Sequence, residues 1–344
     1  MESAGTLGPS DAAGWRPLWS RLRARSSTPE NLDFPPVRNG IDYLGSVVDH
    51  LDEESGGELR DLKYAVLHLQ AAAEVLLKVR LIHEHWSLVF KDPRNASKSK
   101  YDTAQFESCG TDAAVQRLRD IAGVPIDTGD AKALKDLAED RNALQHYGLT
   151  RNAKAVQSRA GDVLDFLVRF LDEELLPRLN LAEQEEIVLD MARIREGLNR
   201  IETFIDTRMN RIRAELKAKA DRVIDCPHCE QRAVVLTPGK AECRFCNEAW
   251  AEPEELIAEY LYGHPDAETL VSQCPTCDEF TLSEGIVFAN GERELRYCFS
   301  CATHFDPAEL TRCASCSRPW PHEGDDDGTT DTLCTTCREY AGLN

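Results

Sequence analysis

Cys226-Pro227-His228-Cys229 and Cys243-Arg244-Phe245-Cys246 stand thirteen residues apart, with the β-prone run Ala233-Val234-Val235-Leu236 between them. A Cys-x-x-Cys turn sets two sulfurs on one side of a tight loop. Two such turns joined by a short hairpin complete a tetrahedron around a metal. The spacing therefore predicts a zinc ribbon over 225–262. The pattern recurs in Cys274-Pro275-Thr276-Cys277 with Cys298 and Cys301, across a spacer of 20 residues, and in Cys313 and Cys316 with Cys334 and Cys337, across 17. These predict a second module over 263–310 and a third, less typical one over 311–344. The pairing stays open at one point: Cys298/Cys301 either completes the second site or cross-braces with Cys313/Cys316.

Four thiolates leave a metal no open position, so the sites read as structural Zn2+, about three per chain. Iron in a rubredoxin-like site is the other metal this ligand set takes. His228, His264, His304 and His322 then read as surface residues, since no site lacks a ligand. Twelve of the thirteen cysteines lie in this third of the chain, all in such pairs. Secreted disulfide frameworks rarely show that regularity. No apolar run approaches the roughly 20 residues that span a bilayer, and the N-terminus lacks a signal-peptide pattern. The expectation is a cytoplasmic protein with no membrane association.

The charge is unevenly placed. Of the net −20, residues 226–344 carry −14, from 8 Lys and Arg against 22 Asp and Glu. Non-specific nucleic-acid affinity comes from Lys and Arg, so the cysteine-rich module is a poor phosphate binder and a better docking surface for a protein partner.

Upstream, residues 1–37 read as a flexible leader, interrupted by Pro29, Pro35 and Pro36, with Arg16, Arg21, Arg23 and Arg25 among Trp15 and Trp19. Residues 38–178 show helical periodicity. Ile41, Leu44, Val48 and Leu51 step by three and four, and Leu59 to Phe90 is apolar almost all round, as in a buried helix. Thr111 and Asp112 offer an N-cap for the helix carrying Val115, Leu118 and Ile121. The next helix spans about 128–147 with Gly148 as its C′ residue, and another runs over 152–176 before Pro177. β-type alternation is absent, so an all-α bundle is expected. Lone Cys109 reads as a small buried hydrophobe. Residues 179–224 read as a long linking helix. Ile187, Met191, Ile194, Leu198, Ile201, Ile205, Arg208 and Ile212 alternate steps of four and three. That is a heptad seam, which either self-pairs as a parallel coiled coil or packs back on its own bundle.

One short motif carries chemistry: Arg141-Asn142-Ala143-Leu144-Gln145-His146, at the end of its helix. Leu134, Leu137, Arg141 and Leu144 share a stripe, so the guanidinium needs a counter-charge or an interface. His146 lies in the last turn, where the helix dipole favours its protonated form. An Arg to hold phosphate charge beside a His to move protons suits RNA cleavage. With Ala73-Glu74-Val75-Leu76-Leu77-Lys78 in an earlier apolar helix, residues 40–178 resemble the HEPN superfamily (higher eukaryotes and prokaryotes nucleotide-binding). Active HEPN members are metal-independent endoribonucleases that dimerise so that the Arg and His of both chains face one cleft. They recur in toxin–antitoxin and antiviral defence systems. The resemblance implies that Arg141 and His146 are catalytic and that Asn142 positions them. Glu74 is the candidate to orient Arg141 across the bundle. The competing expectation is a non-enzymatic dimeric adaptor whose zinc ribbons bind protein.

Overall fold

Two helices with facing apolar sides begin the described chain: α1 (Pro36–Leu51) and α2 (Leu59–Glu84). The structure, a computed structural model, describes residues 34–52, 58–263, 271–291, 295–321 and 333–342. The expected leader lies almost wholly outside the described residues. The chain divides at Pro35/Pro36, so the helical part starts two residues before the expected boundary. α2 is buried on nearly every side, from Leu62 through Leu77 to Leu81, as its unbroken apolar run requires. Around it pack α1, α4 (Thr111–Asp120), α5 (Thr128–His146) and α6 (Ala153–Phe170); the short α3 (Lys98–Asp102) lies in the connection after α2. α6 runs on through one π turn, Leu171–Leu175, and stops before Pro177. Cys109 is buried, as expected. The cap of α4 differs from expectation. Gly110 is its N-cap, and Thr111 instead accepts a buried hydrogen bond from Gln70 at 2.8 Å.

The linking segment is two helices, not one: α7 (Leu181–Leu198) and α8 (Glu202–Ala218), with Ile201 extended between them. Each follows a different partner. α7 lies so close to α1 that a Cβ on Gly197 would meet Val48 at 2.2 Å. α8 starts against α6, where a Cβ on Gly161 would meet the Thr203 carbonyl at 2.8 Å. A straight rod cannot satisfy both contacts, so the chain breaks at 199–201. Ile187, Met191, Ile194, Leu198, Ile201, Arg208 and Ile212 are all buried inside the chain. Within the chain the seam packs on the bundle, the second of the two expected arrangements.

Among the described residues the C-terminal part carries three small antiparallel sheets. The first orders β1 (Val223–Asp225), β2 (Arg232–Thr237), β3 (Lys240–Cys243) and β4 (Ala249–Trp250), followed by α9 (Pro253–Gly263). The second orders β5 (Val271–Ser272), β6 (Leu282–Ile286), β7 (Leu295–Cys298) and β8 (His304–Phe305). The third is the pair β9 (Leu310–Arg312) and β10 (Pro319–Pro321), with α10 (Thr335–Ala341) after it. The main core runs without interruption from α1 into the first sheet and on to Phe288, Tyr297 and Phe299. Among the described residues, the second and third modules have only small clusters of their own beyond that, around Leu282 and around Trp320.

One close helical glycine and one open one predict opposite signs for the same substitution. Gly161→Ala gains helix propensity of up to about 1 kcal/mol but drives a methyl into backbone, and overpacking of this kind costs roughly 1–3 kcal/mol. A lower thermal midpoint is expected. Gly45→Ala on α1 meets nothing nearer than 3.9 Å, so its midpoint should rise. Circular dichroism melts of both variants check the pair.

Candidate functional site

The twelve paired cysteines gather into three groups of four, each with its sulfurs within 4.8 Å of one another: Cys226/Cys229/Cys243/Cys246, Cys274/Cys277/Cys298/Cys301 and Cys313/Cys316/Cys334/Cys337. The open pairing is thereby settled in sequential order. A local backbone device repeats at the first five pairs. The residue after the second cysteine (Glu230, Asn247, Asp278, Ala302, Ser317) takes a positive φ of 58–65°. Its N–H bonds the carbonyl of the first cysteine at 2.8–3.0 Å. This turns both sulfurs inward. The sixth pair departs: Cys334 caps α10 and Cys337 sits on its first turn. That is the physical content of the third module being less typical.

The sulfurs fit a tetrahedral metal. Across the sites, Sγ–Sγ separations are 3.8 Å (Cys226–Cys246), 3.7 Å (Cys229–Cys243), 3.8 Å (Cys274–Cys301), 3.6 Å (Cys277–Cys298) and 3.8 Å (Cys316–Cys334). A tetrahedron with metal–sulfur bonds of about 2.3 Å has edges of about 3.8 Å; a disulfide would be about 2.05 Å. In the first site the neighbouring sulfurs, Cys226 foremost, push the Cys243 thiol up and the Cys246 thiol down. Crowded sulfurs cannot all ionise alone; a divalent cation among them removes that conflict.

The histidines stay outside these groups. His228 bonds Glu259 through Nε2 at 2.8 Å, and the same carboxylate accepts from Trp250 Nε1 at 2.7 Å. Burial opposes protonation of His228, but Glu259 and Glu248 outweigh it and raise its pKa. His304 is exposed, beside the rings of Tyr297 and Phe288. His264 and His322 lie outside the described residues.

The first metal module is fastened to the bundle through Arg208, which is 2% exposed. Arg208 faces Asp165 of α6 at 3.8 Å and donates to Asn247 at 3.3 Å; Asn247 in turn donates to Asp172 at 2.6 Å. Burial lowers the Arg208 pKa, against the pull of Asp165.

The Arg141 site stands on α5. Leu134 and Leu137 are buried and fix that helix in the bundle. One turn on, Arg141 is not buried in the apolar stripe as the spacing suggested; its side chain is 28% exposed. It donates to Asn142 at 2.9 Å, to Gln145 at 3.2 Å and to Glu74 of α2 at 3.5 Å. Glu74 is shared, since Lys78 Nζ lies 2.6 Å from its other oxygen and also donates to Ser108 at 2.8 Å. His146 is exposed in the last turn, its ring 5.9 Å from that of Tyr147. Tyr147 and Gly148 both donate to the Ala143 carbonyl, which closes the helix there. Sequence reasoning missed Gln145, Lys78 and the wholly buried Asp140, which pairs with Arg151 at 2.7 Å and with Arg159. Gln145 was recoverable as the i+4 neighbour of Arg141. Asp140 had no local signal, because its partners come from beyond α5.

Metal release should be graded. The first site sits in the main core, whereas the third has an exposed Cys316 and little apolar support. Elemental analysis is expected to return about three equivalents of metal, from three four-ligand sites. Under excess chelator, alkylation mapped by mass spectrometry should mark the cysteines of the third site first and those of the first last, with most helical signal kept. One equivalent or none, or simultaneous alkylation of all twelve, would contradict the graded arrangement.

Among the described residues no helix is long and apolar enough to cross a membrane. No protein-family model, curated protein or solved structure matches the chain.

Proposed function

We propose that this chain is a metal-independent endoribonuclease of the HEPN type, acting as a homodimer, with three structural zinc ions holding its C-terminal modules. The observation that carries the reading is the arrest of Arg141. Three acceptors from α2 and α5 hold its guanidinium at the surface, one turn before an exposed His146. A positioned cation and an exposed imidazole at the end of one helix are the two groups that transesterification of RNA asks for. His146 takes the proton of a ribose 2′-OH as its oxygen attacks the adjacent phosphorus. Arg141 bears the charge of the phosphorane. The P–O5′ bond then breaks, and an imidazolium, from this chain or its partner copy, protonates the leaving 5′ oxygen. The products are a 2′,3′-cyclic phosphate and a 5′-hydroxyl. Tyr147, 85% exposed beside His146, is apolar surface that a second copy would cover. The acidic metal modules then serve for sensing or partner docking, as in a toxin or antiviral effector of the cytoplasm.

The test is cleavage of mixed single-stranded RNA in magnesium-free buffer, with product ends identified by mass spectrometry. His146→Ala and Arg141→Ala should each lower the rate by roughly 10²-fold or more, and Asn142→Ala by less. Arg141→Ala leaves Glu74 paired with Lys78, so its fold should survive. If His146→Ala cuts at the wild-type rate, the ribonuclease reading fails and a dimeric adaptor built on the zinc modules replaces it.

A further inference from the structure

The second and third metal modules enclose a groove of about 410 Å³, lined by Pro275 and Asp278 on one side and by Trp320, Pro321 and Thr335 on the other. Trp320 is 9% exposed, yet among the described residues its indole N–H has no acceptor. The contrast with Trp250, whose N–H is held by Glu259, is direct. A buried donor without a partner is costly, and an indole in a groove supplies both a flat apolar face and one donor. Proline rings beside it add apolar surface without competing N–H groups. Grooves of this make accept extended peptides, whose carbonyls project at regular intervals.

Charge selects among peptides. The three metal modules together, residues 226–344, carry 8 Lys and Arg against 22 Asp and Glu. On the groove itself Asp278 is 71% exposed at the rim, held against Arg318. Such a surface repels phosphate chains and draws in cationic ones. We propose that this groove binds an extended, basic peptide segment of a partner protein. A backbone carbonyl of the segment accepts from Trp320 Nε1 after a small rotation of the indole, and a Lys or Arg of the segment shares Asp278 with Arg318. The inference does not depend on the ribonuclease reading, since it uses none of Arg141, Asn142 or His146.

The test uses the full-length, metal-loaded chain and a displayed library of random dodecapeptides. Enriched peptides should be net positive. Adding one to the 15N-labelled protein should move the indole N–H signal that Trp320→Phe abolishes. Trp320→Phe keeps an aromatic ring but removes the indole N–H, and should weaken binding about tenfold or more, at least the loss of one hydrogen bond. Asp278→Asn keeps a residue type tolerated at the local φ of +65° and should also weaken binding; it carries the test if Trp320→Phe loses metal. RNA cleavage by both variants should match wild type. The proposal is overturned if no peptide is enriched, if the enriched peptides are acidic, or if both variants bind as wild type. It is equally overturned if light scattering shows that Trp320→Phe dissociates a dimer, which would give the groove to a second copy.

Discussion

Arg208 is the charge on which the arrangement of helices and metal modules depends. A guanidinium 2% exposed is tolerable only among counter-charges and acceptors, because an unpaired buried ion costs several kcal/mol. Asp165 supplies the counter-charge and is itself steadied by Arg169 and Arg211. Asn247 supplies an acceptor, and it can do so only while its backbone holds the positive φ of the Cys243/Cys246 turn. That turn is the one the metal closes. Phe204 and Phe245 pack edge to face at 5.7 Å, and the same guanidinium lies within 6 Å of both rings. The first metal centre and the bundle therefore share one buried polar contact and one apolar core. Loss of the metal would free Asn247 and leave Arg208 without its acceptor.

That coupling weakens outward along the chain. The second module leans on the first through Ala289, whose N–H bonds the Val223 carbonyl at 2.9 Å, and through Phe288 and Tyr297 in the common core. The third touches the second through Leu310, buried in the small Leu282 cluster, and through ion pairs, Arg312 with Glu284 and Arg318 with Asp278, which are partly exposed and individually weak. Each step replaces apolar burial with metal ligation as the source of order. This gradient follows from composition, since the segment after residue 300 offers few large apolar residues beyond Phe305, Leu310 and Trp320.

The cysteine spacing was the most legible feature, because ligand geometry dictates it locally: two residues between sulfurs and a hairpin's length between pairs. Pairing order was not legible, since the sequence carries no distance between Cys301 and Cys313 in space. The seam from Ile187 to Ile212 shows the limit of periodicity. Heptad spacing reports that one face is buried, never against what, and here the partners are α1 and α6. The break at 199–201 had no proline to announce it. It arises from two tertiary contacts, at Gly197 and Gly161, whose partners lie some 40 to 150 residues away in sequence. That Arg141 needs a counter-charge was readable from its spacing, but Glu74 was named as the partner only through the family resemblance. The sharing of that carboxylate with Lys78, and the burial of Asp140, were not readable, because both depend on how α2, α5 and α6 meet.

The division of labour within the chain follows from ligand number and charge. Each metal group offers four sulfurs, which saturates a tetrahedral ion and leaves no position for water or substrate. A metal so enclosed orders its module and takes no part in bond breaking. The acidic surface around it would repel an RNA backbone. On the proposed ribonuclease reading, phosphate chemistry would fall to the helical bundle, where net charge is only −6 over the first 225 residues and where the Arg141 cation is fixed by neighbours yet still open to solvent. The same carboxylate that fixes it, Glu74, also holds Lys78, so positive charge at this surface comes from two side chains oriented by one anion. An arriving phosphate would compete with Glu74 for both cations. It gains most where its charge grows, in the transition state, and that is the condition under which a positioned Arg accelerates a reaction rather than merely binding its substrate.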